Sequence, residues 1–294
     1  MRRQGAALLG SVLLLVPLLG GVADAQGRLC FAREATITGT DASEVLKGTP
    51  GNDAVILGLD GDDIVIGKGR NDRICSGAGA DAIEGGRGDD RVEGGGGADT
   101  ISGGPRKDFL VGGGGNDSLA GAAGEDRLVG EGGADILDGG AGRDWVGFFL
   151  TRGGIRASLA AHRASGEGAD ALVRVEDLEG SPYDDVLIGD ASPNDLDGGN
   201  GSDIVAASGG ADRLIGGRAD DTLRGGSGSD VLDDSLRVAQ GVFPDTGTDL
   251  LVGGTGNDRL RAVDDVRGND TLVGGLGRDV CSADPGDLRS GCGP

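Results

Sequence analysis

The feature that most constrains this 294-residue chain is an aspartate that recurs every nine residues and is followed, two positions later, by an aliphatic side chain. The first unbroken run contains the aspartates Asp63, Asp72, Asp81, Asp90, Asp99, Asp108, Asp117, Asp126, Asp135 and Asp144. The aliphatic residues that follow them are Val65, Ile74, Ile83, Val92, Ile101, Leu110, Leu119, Leu128, Leu137 and Val146. An unbroken run of matches at two linked positions excludes an accident of composition, and a fixed period is typical of folds that stack repeats.

The same period returns further along the chain. A second run consists of Asp185, Asn194, Asp203, Asp212, Asp221 and Asp230, and a looser third run of Asp249, Asp258, Asp270 and Asp279. Upstream, Ile37, Leu46 and Val55 occupy the aliphatic position, and Glu44 replaces the aspartate before Leu46. A deviating repeat of this kind is typical of a cap at the end of a repeat array.

Each repeat combines a glycine-rich turn with a very short strand. The residues ahead of an aspartate read, for example, Gly94-Gly95-Gly96-Gly97-Ala98-Asp99, and glycine adopts positive φ angles at which other side chains clash. The residues after it can form a strand whose middle, aliphatic side chain points to one face. Each repeat buries about one aliphatic side chain. The free energy gained by this burial is smaller than the cost in backbone entropy of ordering the repeat. The fold therefore needs a second source of stability.

The repeat unit resembles the G-G-x-G-x-D-x-U-x nonapeptide of the RTX (repeats-in-toxin) calcium-binding family. The resemblance extends over residues 39–147, 180–235 and 245–282. It implies an all-β fold, a parallel β-roll solenoid with two nonapeptides per coil, in which aspartates and glycine-loop carbonyls hold calcium between stacked turns. The metal ligands that it implies are Asp53, Asp63, Asp72, Asp81, Asp90, Asp99, Asp108, Asp117, Asp126, Asp135, Asp144, Asp185, Asp203, Asp212, Asp221, Asp230, Asp249, Asp258, Asp270 and Asp279.

The chemistry of such a roll suits calcium as its cofactor. Coils stack about 4.8 Å apart, and two carboxylates at that distance repel by about 3–4 kcal/mol at an effective dielectric constant near 20. A divalent cation between the turns reverses the sign of this interaction. Calcium accepts six to eight oxygen ligands in flexible geometry, whereas magnesium requires a tighter octahedron and zinc prefers His or Cys. We expect calcium binding to coincide with folding.

The two edges of the first run differ in their surrounding residues. One edge carries Asp63, Asp81, Asp99, Asp117 and Asp135, and glycine occupies the fourth position of each of its turns. The turns of the other edge contain Lys68, Arg70, Arg87, Arg106, Lys107 and Arg143. Because a side chain resists positive φ and a cation competes with calcium, we predict tighter calcium binding on the first edge. The alternative is that these long side chains simply extend into solvent.

The chain order suggests six segments. Residues 1–25 resemble a signal peptide, with Arg2 and Arg3 before an apolar run and Ala23-Asp24-Ala25 as the cleavage site. We expect residues 26–62 to cap the array, 63–147 to form a regular roll, 148–179 an irregular wider-coil insertion, 180–235 a second roll, and 236–294 degenerate repeats and a disulfide-closed cap. Asp170, in the insertion, is expected to matter less for calcium than Asp99.

The cysteines and the leader together indicate an exported protein. Four cysteines in such a protein suggest two disulfides, for which three pairings are possible. Proximity along the chain favours Cys281 with Cys292, which leaves Cys30 with Cys75. We expect a secreted, extracellular protein without a membrane span.

The composition narrows the function. A net charge of −22 disfavours nucleic acid as a partner. The longest stretch without repeats is too short for a catalytic domain, and His162 is the single histidine. The sequence therefore predicts a secreted calcium-binding structural or binding module without catalysis, whose protein or polysaccharide partner is unknown. The alternatives are an adhesin or polysaccharide-binding surface protein, or the non-catalytic part of an RTX-type enzyme or toxin. An amino-terminal leader, in place of the carboxy-terminal export signal of many RTX proteins, disfavours a cytolytic toxin.

Overall fold

The computed structural model describes residues 30, 31, 33, 35–50, 55–238, 241–243, 247–263 and 269–293. The predicted signal peptide and the candidate ligand Asp53 lie outside the described residues. Strands are the only regular elements in the described ranges. The same ranges contain no long apolar helix of the kind that crosses a bilayer.

The strands form two sheets, here called sheet one and sheet two, and the chain passes back and forth between them. In spatial order, sheet one contains β1 (Ile37–Thr38), β3 (Val55–Asp60), β5 (Arg73–Ala78), β7 (Arg91–Gly96), β9 (Phe109–Gly114), β11 (Arg127–Gly132), β13 (Trp145–Gly147), β17 (Asp177–Glu179), β19 (Asp195–Asn200), β22 (Arg213–Arg218), β24 (Val231–Val238), β27 (Arg259–Ala262) and β29 (Val280–Ala283). β25 (Gly241–Phe243) pairs with β24, off this path.

Sheet two contains, in spatial order, β2 (Val45–Lys47), β4 (Ile64–Ile66), β6 (Ala82–Glu84), β8 (Thr100–Pro105), β10 (Ser118–Gly124), β12 (Ile136–Gly142), β16 (Ala169–Val173), β15 (Arg163–Ser165), β14 (Arg156–Ser158), β18 (Val186–Ile188), β20 (Ile204–Ala206), β23 (Thr222–Gly228), β26 (Leu250–Gly256), β28 (Thr271–Gly277) and β30 (Leu288–Ser290). β21 (Gly209–Gly210) pairs with β23.

Neighbouring strands in the regular parts are parallel and in register at an offset of two nonapeptides. Ile74 aligns with Val92 in sheet one, and Ile83 aligns with Ile101 in sheet two. Two repeats therefore make one coil. The predicted all-β parallel β-roll is confirmed.

The core is a single column of aliphatic side chains between the two sheets. The middle residue of each short strand points inward, and Val65, Ile74, Val92 and Leu110 are fully buried. This one cluster runs from Leu46 to Leu272 through all three runs of repeats. A smaller cluster on the outer side of sheet one contains Cys30, Leu57 and Cys75.

Both disulfides connect the cysteines that proximity along the chain favours. Cys30 and Cys75 are bonded with Cα atoms 5.7 Å apart, and Cys281 and Cys292 with Cα atoms 5.8 Å apart. The first disulfide fixes the amino-terminal segment against β5, and the second closes the chain after β29. The predicted pairing is confirmed.

The insertion between the first two runs enlarges only one sheet. β16 pairs in parallel with β12, β14 pairs in parallel with β18, and β15 lies antiparallel between them. In sheet one, β13 and β17 pair directly. The predicted irregular, wider coil is thus a one-sided insertion: sheet two contains three strands where a regular coil would contribute one.

Candidate metal sites along the two edges

The described aspartates of the repeats form two columns, one along each edge of the roll. The first edge consists of the turns that lead from sheet one to sheet two, and the second edge of the turns that lead back. Beyond the first run, the first edge continues with Asp185, Asp203, Asp221, Asp249 and Asp270. The second edge continues with Asn194, Asp212, Asp230, Asp258 and Asp279. These side chains are buried, although nearly all of them are charged residue types.

One oxygen of each carboxylate is fixed by the coil before it. The Asp81 N–H donates to Oδ1 of Asp99 at 2.9 Å, the Asp99 N–H to Oδ1 of Asp117 at 2.8 Å, and the Asp117 N–H to Oδ1 of Asp135 at 2.9 Å. The second edge repeats the pattern between Asp90 and Asp108 at 2.7 Å. These bonds hold each carboxylate in a fixed orientation along the edge.

The other oxygen of these carboxylates is buried without a hydrogen-bond donor from the described residues. This holds for Oδ2 of Asp63, Asp81, Asp90, Asp99, Asp108, Asp117, Asp126, Asp135, Asp144, Asp203, Asp212, Asp230, Asp258 and Asp279. A buried carboxylate oxygen without a partner is costly. Its repetition in coil after coil is the arrangement expected of an array that binds cations.

Backbone oxygens converge on the same places. A Cβ atom added to Gly121 would lie 2.5 Å from Oδ2 of Asp126 and 2.7 Å from the carbonyl oxygen of Gly139 in the next coil. At Gly253 the corresponding distances are 2.5 Å to Oδ2 of Asp258 and 2.6 Å to the carbonyl oxygen of Gly274. These distances are too short for a carbon atom but lie close to those of calcium to its oxygen ligands, and carboxylate and carbonyl oxygens are the ligands that calcium prefers. The residues present therefore fit the ion.

The turn backbone keeps its shape even where glycine is absent. In the turn before Asp99, the second and fourth residues, Gly95 and Gly97, have φ of 110° and 131°. At the fourth position of second-edge turns, Arg70 and Arg106 have φ of 70° and 89°. A side chain at such a φ costs about 1–2 kcal/mol. Both turns adopt the positive φ despite this cost, so the arginines do not change the shape of the turn backbone.

Burial and mutual repulsion change the acidity of the columns. On the first edge, burial together with the charge of neighbouring aspartates raises the pKa of Asp99, Asp117 and Asp135 to about 6. On the second edge, burial raises the pKa of Asp108 to about 8 and that of Asp126 to about 6. The ionised carboxylates are therefore destabilised in the absence of a bound cation.

Asp185 differs from the other candidates, because the protein itself satisfies its carboxylate. Its Oδ2 accepts a hydrogen bond from the Ser181 N–H at 2.5 Å. Its Oδ1 accepts bonds from the Ser181 hydroxyl at 2.7 Å and the Ile155 N–H at 2.8 Å. The nine-residue period placed Asp185 with the metal ligands, but its surroundings do not require a cation.

Two acidic residues of the insertion join the columns and were missed as ligands. Oδ1 of Asp170 accepts the Asp135 N–H at 3.1 Å, and Oε2 of Glu176 accepts the Asp144 N–H at 2.9 Å. Asp170 is buried and extends the first edge, and the prediction that it matters less for calcium than Asp99 stays a prediction. A signal was present in the sequence, because each acid precedes a buried leucine, Leu172 or Leu178, by two positions.

A third acidic residue that the period did not reveal is Asp234. Ile215 aligns with Asp233, so Asp234 lies beside Gly216, the first glycine of the preceding first-edge turn. One carboxylate oxygen each of Asp234, Asp249 and Asp270 lies within 4.8 Å of the others, and all three residues are buried. This first-edge site thus offers one more carboxylate than the regular turns.

Comparison with models of protein families gives a match over most of the repeats. The profile described as "RTX calcium-binding nonapeptide repeat (4 copies)" matches residues 38–74, 57–92, 76–110, 111–146, 179–214, 206–233, 244–262 and 264–287, which together make up more than half of the chain. A search of the curated proteins gives no significant match. With the paired columns of buried aspartates, the profile match shows that this chain belongs to the family of RTX calcium-binding repeat proteins and that calcium is its cofactor.

Proposed function

We propose that this protein is a secreted module that folds when it binds calcium and acts through the surface of the folded roll, without catalysis. The observation that carries the proposal is the repeated buried Oδ2 atom of the edge aspartates, for which the described residues provide no donor. The calcium-free roll would bury many carboxylates about 4.8 Å apart. Calcium is then a condition for the fold and not an accessory to it.

Secretion is supported by the two disulfides. Such bonds persist in oxidising compartments and are rare in the bacterial cytosol. Calcium is also abundant enough outside cells to saturate sites of sub-millimolar to millimolar affinity, the range of extracellular modules. Export before folding would agree with both properties.

We propose that the protein is not a catalyst because most of its described residues belong to the repeats and the insertion. Repeats and the three-stranded insertion account for most of the described residues, and these strands belong to the sheets. His162 is exposed in a turn, where its N–H donates to the Leu159 carbonyl at 3.0 Å and its carbonyl accepts from the Leu172 N–H at 3.0 Å. These backbone bonds give His162 a structural role in connecting β14 and β15.

Far-ultraviolet circular dichroism of the chain with its disulfides intact tests the proposal. In excess chelator we expect a largely disordered spectrum, and a β-rich spectrum on adding calcium at sub-millimolar to millimolar concentration. Magnesium at equal concentration should not substitute, because it requires a tighter octahedral shell. A spectrum with the same β content in chelator would refute calcium-dependent folding.

A further inference from the structure

A depression on the second edge, near the amino-terminal end of the roll, is surrounded by cations. Its volume is about 630 Å³, and its walls include Lys68, Arg70, Arg87 and Arg106. None of the described residues that line it is acidic. Four positive side chains at one place are unexpected in a chain whose net charge is −22.

The stacking of coils brings these four residues together. Lys68 and Arg70 flank Gly69 in one coil, and Arg87 pairs with Gly69 from the next, where its N–H donates to the Lys68 carbonyl at 3.0 Å. Arg106 occupies the same turn position as Arg70 two coils further on, about 10 Å away.

Two glycines keep the space between the cations open. A Cβ atom added to Gly69 would contact nothing within 4 Å, so this residue faces the empty depression. Gly88 lies between Arg70 and Arg106, and a side chain there would clash with the Arg70 backbone. The depression therefore has a floor of glycine and walls of long cationic side chains.

The cations occupy positions that suit glycine better. Lys68, Arg70 and Arg106 have φ of 85°, 70° and 89°, values that cost free energy for any residue with a side chain. They are three of the four lysine or arginine residues that have positive φ in the described ranges; the fourth is Arg174. Uncharged residues such as Ala122 have the same strain in other turns, so what distinguishes this place is the positive charge of its strained residues.

Three of the four cations of the depression are not used in ion pairs with other described residues. Lys68, Arg87 and Arg106 form no ion pair with any residue in the described part of the chain, whereas Lys107, next to the depression, pairs with Glu125. Asp89 belongs to the same turn as Arg87, but its side chain is exposed and does not line the depression. The turns that form the depression lead into the buried aspartates of the second edge. Calcium bound to these aspartates would offset their negative charge. The depression is then most electropositive in the calcium-loaded roll.

We propose that this depression binds an oxoanion, the phosphate or sulfate group of an anionic ligand, in the calcium-loaded protein. Arginine side chains suit this chemistry because their planar guanidinium groups form paired hydrogen bonds with such oxygens. The spacing between Arg70 and Arg106 is wide enough for two groups on one polymer. The inference deepens the proposed binding role and rests on the calcium-folded roll.

Isothermal titration calorimetry of the full chain in saturating calcium tests the inference. The probes are inorganic sulfate, dextran sulfate and uncharged dextran, with calcium matched in cell and syringe. We expect sulfate groups to bind and uncharged dextran not to bind. Binding of inorganic sulfate identifies a site for a free oxoanion, and binding of dextran sulfate alone identifies a site for a sulfated polymer.

The variant that decides is the double substitution Arg70→Gly and Arg106→Gly. It removes two cations and restores glycine at two positive-φ positions, so the calcium-loaded roll should fold at least as well while affinity for the sulfated probe falls by at least about tenfold. Ala219→Gly is the control for strain, because Ala219 has φ of 78° and carries no charge. Arg278→Gln is the control for charge, because Arg278 is an exposed turn residue of the same edge. Each control should change affinity by less than about twofold.

Folding and binding are read separately. Circular dichroism of each protein reports whether calcium folds the roll, which is the test of the proposed function. A folded protein that ignores both sulfated probes, or a double variant that binds them as tightly as the unmodified chain, overturns the oxoanion site and leaves the proposed function intact.

Discussion

Along the regular part of the roll, the first edge and the second edge share one backbone arrangement but surround it with different charges. Hydrogen bonds between successive aspartates measure 2.8–2.9 Å on the first edge and 2.7–2.8 Å on the second. Within the first run, the fourth turn residue is glycine in every turn of the first edge, whereas on the second edge it is arginine in the turns before Asp72 and Asp108. Strand pairing therefore fixes the geometry of the turns on both edges. The charge near the aspartates depends on the turn side chains, which do not change this geometry.

The difference in charge has a consequence for calcium. Cations near the second edge oppose a bound divalent ion, and burial raises the pKa of Asp108 to about 8, above the value of about 6 for Asp99. Burial raises the pKa of Asp203 on the first edge to about 8 as well, so the nearby cations, and not the pKa values of the carboxyls, distinguish the two edges. We predict tighter calcium sites on the first edge than on the second, as the sequence also suggests.

The largest effect expected along both edges is a pH dependence of calcium binding. Because the pKa of the edge carboxyls is raised in the folded, calcium-free roll, their protonated form favours folding at low pH and this contribution is lost as pH rises through about 6 to 8. At pH 5.5 protons therefore replace calcium in part, so the gain in β content on adding saturating calcium should be smaller at pH 5.5 than at pH 7.5. Calcium titrations followed by circular dichroism measure this gain.

In the same series, the calcium-free chain should gain β structure as pH falls towards 5. A gain in β content on adding calcium that is equal at the two pH values would contradict the stabilisation of the roll by protons. Isotope-edited spectra of the aspartate carboxyls would show which of them lose their protons at the highest pH. We expect Asp108 on the second edge and Asp203 on the first, whose pKa burial raises to about 8, to lose their protons at the highest pH.

The next largest effect compares single ligands of the two edges. Asp99→Ala should raise the calcium midpoint of folding by about tenfold, and Asp108→Ala by about threefold, because the first-edge site is the tighter one. Asp60→Ala is the matched control: Asp60 is an exposed residue of a first-edge turn, and its loss removes the same charge. Equal midpoints for Asp99→Ala and Asp108→Ala would remove the difference between the edges.

A smaller effect tests how far the first edge extends. Asp170 accepts the Asp135 N–H and closes the array against the insertion, so Asp170→Ala should raise the calcium midpoint by about fivefold. The replaced side chain would leave the site below Asp135 with one carboxylate fewer. A midpoint equal to that of Asp60→Ala would show that the first edge ends at Asp135.

The smallest effect is expected where the first edge resumes. Ser181 and Ile155 already satisfy the carboxylate of Asp185, so Asp185→Asn should change the calcium midpoint by less than about twofold. It should instead lower the thermal stability of the calcium-loaded protein, since two hydrogen bonds to an ionised acceptor weaken. A change in midpoint as large as that of Asp99→Ala would make Asp185 a ligand after all.

The sequence alone predicts the features that lie within a single nonapeptide. The nine-residue period identified Val92 and Leu110 as core residues and Asp99 and Asp108 as edge residues, because turn, strand and acid lie within one nonapeptide. The spacing of the cysteines likewise sufficed to favour both disulfides. Local chain geometry fixes these features, so a local pattern reveals them.

Contacts between coils that are not separated by a regular multiple of nine residues became visible in the folded structure alone. The offset between Asp135 and Asp170 is 35 residues, because the antiparallel β14 and β15 add strands to one sheet alone. Asp234 reaches Asp249 and Asp270 only through the pairing of β24. The four cations around the depression come from three different coils, with Lys68 and Arg70 in one, Arg87 in the next and Arg106 in the third. Stacking distance is a property of paired strands and not of sequence separation, so these sites became visible only once the coils were stacked.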